Sequence, residues 1–416
     1  MLTILIFCGY LFFFCWLITR LRFFTNSGIS RQWLIILFLI KVAAGVAYGF
    51  FYSRPQYIEG SDSFHLFSLS CKETDWLLQN PSAFLRDFFT SGYEEKSNLF
   101  ISKNSFWNDL KDNTIIKLMA VVNVFTGKRY FVDIIFFNFL FFFGPVALFK
   151  LLNHLYPGKK LWLLCSVFLI PSYVFWCSGL HKDGLIFSSI SLAVYCFYLM
   201  NEGKKLRVKY TAVLLLSMAA LFLLRNFLLF LLLPSLVACF LSFRFPSKKW
   251  ISFIIVYGVA LLLFFLFPHI DIAFNFPQYL VGKQEEFRQL AGNSAIDVPA
   301  FNTSFLSICS FLPYALDIAF LRPHLNELKG VAYYPAALEN LIIVLLMIGA
   351  FIKSRKQKAS SLLLALLFFS GSVLLMTGYT VTFSAAVMRY KSIVLPLLAS
   401  VFVVVIKNGS IKRNQV

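Results

Sequence analysis

Charge is scarce in this chain, and acid is scarcest. Only 14% of the 416 residues are Asp, Glu, Lys or Arg, and the acids number 19 against 38 bases. Soluble domains carry about 25% charged and about 45–50% apolar residues. Here 59% are hydrophobic, 51 of them Phe, and the mean hydropathy is +0.76. That balance excludes a water-soluble enzyme. The chain also lacks CxxC, HExxH and any other metal-ligand spacing, so no zinc or redox-dithiol site is written in it. Internal repeats and low-complexity linkers are absent. Six of the eight cysteines (Cys8, Cys15, Cys165, Cys177, Cys196, Cys239) lie in or at the edge of apolar runs, where Cys acts as a small hydrophobe. With Cys71 and Cys309 the only others, at most one disulfide is open to it.

What the chain has instead is apolar runs of 15 to 25 residues, the length that crosses a bilayer. They predict an all-α polytopic membrane protein with about eleven spans: 2–19, 33–52, 130–149, 161–180, 184–200, 210–224, 226–243, 250–267, 336–352, 359–378 and 390–406. The stretches 161–200 and 210–243 are nearly unbroken. A 34-residue helix would be roughly 51 Å long, against a hydrocarbon core of about 30 Å, so each is read as a hairpin. The turns fall on His181-Lys182-Asp183 and Arg225-Asn226. The first span lacks a basic n-region and a small-residue cleavage site, so it reads as a retained helix rather than a signal peptide.

Charge tests this division. With the N-terminus outside and the C-terminus cytoplasmic, the inner loops are 20–32, 150–160, 201–209, 244–249, 353–358 and 407–416. They hold 20 of the 38 bases and one acid, Glu202, which accounts for the whole net charge of +19. Lys and Arg in short cytoplasmic loops are the positive-inside pattern. The basic excess therefore belongs to a lipid bilayer, and no nucleic-acid partner is implied.

The long connections are both on the outer side, 53–129 and 268–335. Within the first, 113–125 shows apolar residues at helical spacing, and within the second, 311–323 is apolar but too short to span. The first predicts an interfacial helix and the second an interfacial or re-entrant one. The chain divides into an N-terminal helix and basic loop (1–32), a central membrane module (33–250) and a C-terminal membrane region (251–416).

The polar residues at the outer edge are the functional candidates. Lys182, Asp183, Arg225 and Arg389 stand at the tips of apolar hairpins and Arg322 in the second outer segment. Cations so placed face a cavity or a partner, and together suit an anionic headgroup. Lys391 reads as an ordinary turn charge reaching the headgroups. Asp62, in YIEGSDSFHLFSL, has two readings: with Ser61 it caps a helix restarting at Phe64, or it is a carboxylate at a cavity mouth, placed to accept a proton. Glu59 and Asp183 are rival bases, and His65 and His181 are possible assistants.

An acid in G-S-D-S-F after an early span, interfacial helices and many further spans resemble the GT-C superfamily of membrane glycosyltransferases. PSYVFWCSGLHKDGLIF (171–187), LLRNFLLFLLLP (223–234) and MRYKSIVLPLL (388–398) look like segments of bacterial members and of related exopolysaccharide polymerases. The resemblance implies a GT-C-like fold in a bacterial inner membrane, an extracytoplasmic active site, a polyprenyl-phosphate-linked sugar as donor, a glycan or protein acceptor, and an acid of the first outer loop, here Asp62, as general base. Relatives often carry two close acids there. This chain has Asp62 between serines and Glu59 three residues earlier, too few carboxylates for a divalent metal, so no cofactor is expected. A polymerase or ligase acting on lipid-linked glycans is an alternative. A transporter or flippase is another, though such proteins usually show repeats and polar midplanes.

The charge split makes a topological prediction. In a chain whose native cysteines are replaced, single cysteines at Phe100 and Leu290 are labelled by an impermeant thiol reagent from outside, and those at Leu206 and Lys356 are not. External labelling at Leu206 overturns the topology.

Overall fold

The computed structural model of the chain describes residues 1–90, 106–202, 207–270, 275–290, 294–324, 327, 334–354 and 360–407. Three of the four labelling positions, 100, 206 and 356, lie outside these residues. The chain begins with helices α1 (Leu2–Arg20), α2 (Arg22–Thr25) and α3 (Arg31–Tyr52). The first outer segment contributes α4 (Pro55–Ile58), α5 (Asp62–Gln79), α6 (Pro81–Arg86) and α7 (Phe106–Thr126). The central part holds α8 (Tyr130–Leu155), α9 (Lys160–Phe168), α10 (Pro171–Trp176), α11 (Asp183–Glu202), α12 (Val208–Arg244) and α13 (Lys249–Ile270). The second outer segment carries α14 (Phe276–Arg288) and α15 (Phe305–Leu316). Finally come α16 (Tyr334–Ser354), α17 (Ser361–Thr380), α18 (Ser384–Ser392) and α19 (Leu395–Ile406). Apart from one isolated bridge, Ala295 to Phe383, the described residues contain no β structure.

Eight of these helices are long and apolar enough to cross a membrane, and the α18–α19 pair, bent by 63°, makes nine if taken as one span. The chain is thus an all-α polytopic membrane protein, but eleven separate spanning helices are not found among the described residues. Two departures account for the difference. The expected span 161–180 is broken: Ile170 is extended (φ −68°, ψ 119°) ahead of Pro171, because a proline ring disfavours the helical conformation in the residue before it. The expected spans 210–224 and 226–243 are one element, α12, with a non-helical residue at Arg225 (φ −161°, ψ 79°).

α12 nevertheless doubles back. Straight, its 37 residues would extend about 55 Å. Instead Thr211 on its first arm lies 3.9 Å from Met200, and Phe243 on its second arm packs 5.8 Å from Tyr198, both near the C-terminal end of α11. Arg225, at the bend, reaches Asp183 at the opposite end of α11. In the outer segments, 113–125 falls inside α7, which begins earlier, at Phe106. The 311–323 stretch forms the end of α15 and a π-helical turn, Asp317–Leu321.

The core is built on α8. Its Phe137, Phe141, Phe142 and Phe149 are fully buried, with Phe142 5.6 Å from Phe24 and 5.7 Å from Phe38, and Phe149 6.2 Å from Phe168. By contrast α13 buries only Ser252 and Phe253 and exposes Ile254, Leu261 and Leu262. Apolar surface of this kind is covered by lipid rather than water.

The irregular stretch 177–182 is packed among these helices, and its backbone is satisfied by side chains, as buried irregular backbone demands. The Lys41 ammonium, 4% exposed, donates to the Cys177 carbonyl (2.6 Å) and the Ser178 hydroxyl (3.1 Å), and Asn138 donates to the Ser178 carbonyl (2.8 Å). Two glycines permit the approach: a Cβ on Gly45 would lie 2.5 Å from the Ser178 carbonyl oxygen, and one on Gly184 would enter the Phe141 ring. Overpacking a core costs about 1–3 kcal/mol. Gly184→Leu is therefore expected to destabilise the protein by at least that much, read as a lowered melting temperature in detergent. Gly60→Ala, where a Cβ meets nothing within 4 Å, leaves it unchanged.

Candidate functional site

Asp62 is the first residue of α5, and Ser61, not Asp62, occupies the cap position without a side-chain capping bond. The start of α5 is pinned by Ser63, whose buried hydroxyl lies 2.6 Å from the Tyr130 hydroxyl and donates to the Leu180 carbonyl (2.9 Å). Phe64 stacks on Tyr130 with ring centroids 4.3 Å apart. These contacts fix Asp62 beside the 177–182 stretch that delivers Asp183 to the first turn of α11.

Asp183 has no exposed surface and sits among cations. Arg389 Nε donates to its Oδ2 (2.7 Å), and Arg225 Nη2 lies 3.2 Å from its Oδ1. The same Arg389 reaches outward with Nη1 to Asp62 Oδ2 (2.9 Å), whose side chain is 63% exposed. Asp62, Arg389, Asp183 and Arg225 thus form one chain of charge from an exposed mouth to the bend of α12. The guanidinium of Arg225 lies 4.5 Å over the Tyr390 ring and that of Arg389 5.9 Å over Trp176.

His181 lies 3.4 Å from Asp183, but the contact is not an ion pair. Burial pushes the imidazole down to about 3, against the attraction of Asp183, and its Nδ1 accepts the Asp183 amide (3.3 Å). Burial would raise the Asp62 carboxyl, but the Arg389 charge and hydrogen bond, with Lys182, outweigh it and hold Asp62 below its ordinary value. Asp62 is ionised at neutral pH and accepts only.

Two cavities flank Arg389. Next along the chain on one side, Tyr390 lines a cavity of about 200 Å³ with Lys111, Lys182, Arg225, Lys283 and Glu286 on its wall, together with Trp107 and Tyr279. On the other side Met388 lines a larger one, about 440 Å³, walled by Phe51, Tyr57, Pro171, Phe175 and Trp176. Glu339, the one charged residue on that wall, accepts from the Ser172 amide (2.7 Å) and hydroxyl (2.6 Å). In the first cavity, burial and repulsion by Lys182, Arg225 and Lys283 push the Lys111 ammonium down to about 8.

The sequence candidates thus divide. Asp62, Asp183, Arg225, Arg389 and His181 meet, and Lys182 joins at the cavity wall, paired with Asp112 (3.4 Å) rather than with its neighbour Asp183. Arg322 is elsewhere, held by Asp317 (2.8 Å) and Glu327 (2.6 Å) of its own loop. Glu59 and His65 are exposed. Lys391, expected at the headgroups, is buried and donates to Asn340 (2.9 Å) and to the Arg322 carbonyl (3.3 Å). Sequence reading missed Lys111 and Lys283. A helix starting at Phe106 would have put Trp107, Asn108 and Lys111 on one face. Among the described residues no group of three or more His, Cys, Asp or Glu is placed to hold a metal ion.

Removing one partner from a buried ion pair costs about 3–5 kcal/mol, because the other charge is stranded. Asp183→Ala strands Arg225 and leaves Arg389 only its bond to Asp62, and is expected to destabilise by at least that range. Arg225→Gln, which leaves Asp183 its Arg389, costs clearly less. Thermal unfolding in detergent, without added ligand, ranks the two, and equal losses would mean that Asp183 does not organise the site.

Comparison with known protein families, with characterised proteins and with solved structures finds no match for this chain.

Proposed function

We propose that this chain is a membrane glycosyltransferase of GT-C type. It moves a sugar from a polyprenyl-phosphate donor to a glycan, lipid-linked or protein acceptor on the extracytoplasmic side of a bacterial inner membrane, with its N-terminus outside and its C-terminus in the cytoplasm. The observation that carries this reading is the Asp62–Arg389–Asp183 relay, in which an exposed carboxylate shares one guanidinium with a buried one. Glycosyl transfer from a lipid phosphate needs a base at the acceptor hydroxyl and positive charge where the phosphate departs. The relay offers both within one hydrogen-bonded chain.

In this reading the acceptor oxygen bonds to the anomeric carbon while its proton passes to Asp62. The bond from that carbon to the phosphate oxygen breaks, and the phosphate leaves with the electron pair. A protonated Asp62 no longer competes for Arg389 Nη1, so the guanidinium is released to the leaving phosphate as its charge develops. Asp183 keeps Arg389 and Arg225 aimed, and the neutral His181 adds no charge of its own. Lys182 stands beside Asp62, on the wall of the basic cavity. The apolar cavity beside Trp176 and Met388 suits a prenyl chain. Glu59, His65 and Arg322 have no part in this step.

The test is transfer from a labelled polyprenyl-phosphate sugar by the purified chain in liposomes. Asp62→Asn should fold and still bind polyprenyl phosphate, with turnover lowered by roughly 10²–10⁴-fold, the usual loss of a general base. The active form carries Asp62 ionised, so activity falls only as pH drops through its depressed value, and kcat/KM holds at pH 5. In Arg389→Gln the carboxyl loses its largest attraction, its value rises, and the acid limb moves to higher pH. Full activity in Asp62→Asn, or an acid limb unmoved by Arg389→Gln, removes Asp62 from the role of base. Donor length separates the single-sugar reaction from polymerase or ligase chemistry.

A further inference from the structure

The basic cavity holds more positive charge than its own carboxylates answer. Among the described residues four cations line it, Lys111, Lys182, Arg225 and Lys283, against one lining acid, Glu286. Glu286 is engaged by Lys283 (2.8 Å), and Lys182 by Asp112 (3.4 Å). The Lys111 ammonium donates to the neutral amide oxygen of Asn108 (2.7 Å). Arg225, 8% exposed, spends Nη2 on Asp183, while its buried Nη1 has no hydrogen-bond partner among the described residues. A buried guanidinium N–H is costly to leave unmade, and here it belongs to a side chain on a cavity wall.

The cavity is also small and aromatic. At about 200 Å³ it falls below the roughly 300–1,000 Å³ of pockets that enclose drug-sized ligands. It suits the terminal residue of a longer ligand and not a prenyl chain, for which the apolar cavity across Arg389 has the room. Tyr390 and Tyr279 line it, with the Arg225 guanidinium 4.5 Å over the Tyr390 ring and the Lys283 ammonium 5.8 Å over the Tyr279 ring, so aromatic surface for a sugar ring and cations for its charged substituent stand together.

We propose that this cavity binds an anionic saccharide: the sugar ring lies against Tyr390 and Tyr279, and a carboxylate or phosphate ester on that sugar pairs with Arg225 Nη1 and Lys111. The proposal rests on the glycosyl-transfer reading and adds to it that the saccharide handled is acidic. Arginine supplies planar, charge-assisted donors to such oxygens, and Lys111 supplies a point charge across the cavity.

The experiment measures binding to the full-length chain in nanodiscs, by calorimetry and by thermal shift, with no donor present. The probes are a glucuronate-terminated disaccharide, glucose 1-phosphate, the neutral glucose-terminated disaccharide and inorganic phosphate. One or both anionic sugars should bind at least about tenfold tighter than the neutral one and tighter than phosphate, and which of them binds identifies the anion. Lys111→Gln should weaken that binding about tenfold, the factor that 1.4 kcal/mol makes. Tyr390→Leu should weaken the sugars but not phosphate. Neither variant removes a partner of Asp183, so both test the cavity even if Arg225→Gln unfolds. Equal binding of acidic and neutral sugars, phosphate alone as ligand, or anionic-sugar binding untouched by Lys111→Gln overturns the proposal. Anionic-sugar binding without any transfer from a polyprenyl-phosphate donor would sink the enzyme reading and leave the cavity assignment standing. Transfer with no preference for acidic saccharides would do the reverse.

Discussion

Asp183 is the charge around which one end of this protein's helix bundle is arranged. A carboxylate with no exposed surface is tolerable only when paired and hydrogen-bonded, and two arginines from distant parts of the chain supply that. Arg389 comes from α18 and Arg225 from the bend of α12. The constraint works in both directions. Arg225 brings the turn of α12 to the head of α11, and Arg389, drawn to Asp183, is placed to reach Asp62 on α5. Four elements meet at one buried anion, and both cavities open beside the residues it holds.

The surroundings of Asp183 explain why it is so deep. The helical path of 161–180 breaks at Ile170 and stops at Trp176, and six irregular residues follow. They survive among spanning helices because Lys41, Asn138 and Ser63 satisfy their carbonyls from three neighbouring helices. A lysine without a carboxylate partner would be costly there if its hydrogen bonds did not replace water. Lys41 also lies 4.9 Å over the Tyr173 ring, a further favourable contact for a desolvated cation. The polar framework beneath the site is therefore built from side chains answering backbone carbonyls rather than from ion pairs.

Segregation of charge carries the chemical logic. On one side of Arg389 the wall is aromatic and aliphatic, and on the other it carries four cations. A ligand that joins an apolar chain to an anionic, polar head would meet each part of itself on the matching side, with Arg389 at the junction. Burial, with the neighbouring cations, lowers Lys111 to about 8, and an anion beside it would favour its charged form.

Much of this could be read from residues alone, where the physics is local. A bilayer selects apolar length segment by segment, so the helices, the long outer segments and the impossibility of a straight 210–243 stretch followed from runs and a rise per residue. Arg225 was recognisable as a turn and as a buried cation for the same reason. The break before Pro171 was equally local but was hidden by an unbroken apolar composition. What the sequence could not decide was who pairs with whom. Lys182 and Asp183 are neighbours and opposite in charge, yet they take different partners, because successive side chains at the start of a helix point about 100° apart. Arg389 meets Asp62 across 327 residues, and Arg322, equal to it as a sequence candidate, is captured by its own loop. Composition and periodicity determined that the chain is built of long apolar helices, though not their number, and which residues were worth asking about. Only the packing of α5, α11, α12 and α18 around one buried carboxylate decided which of them share a site, since that depends on long-range contact and desolvation rather than on any spacing along the chain.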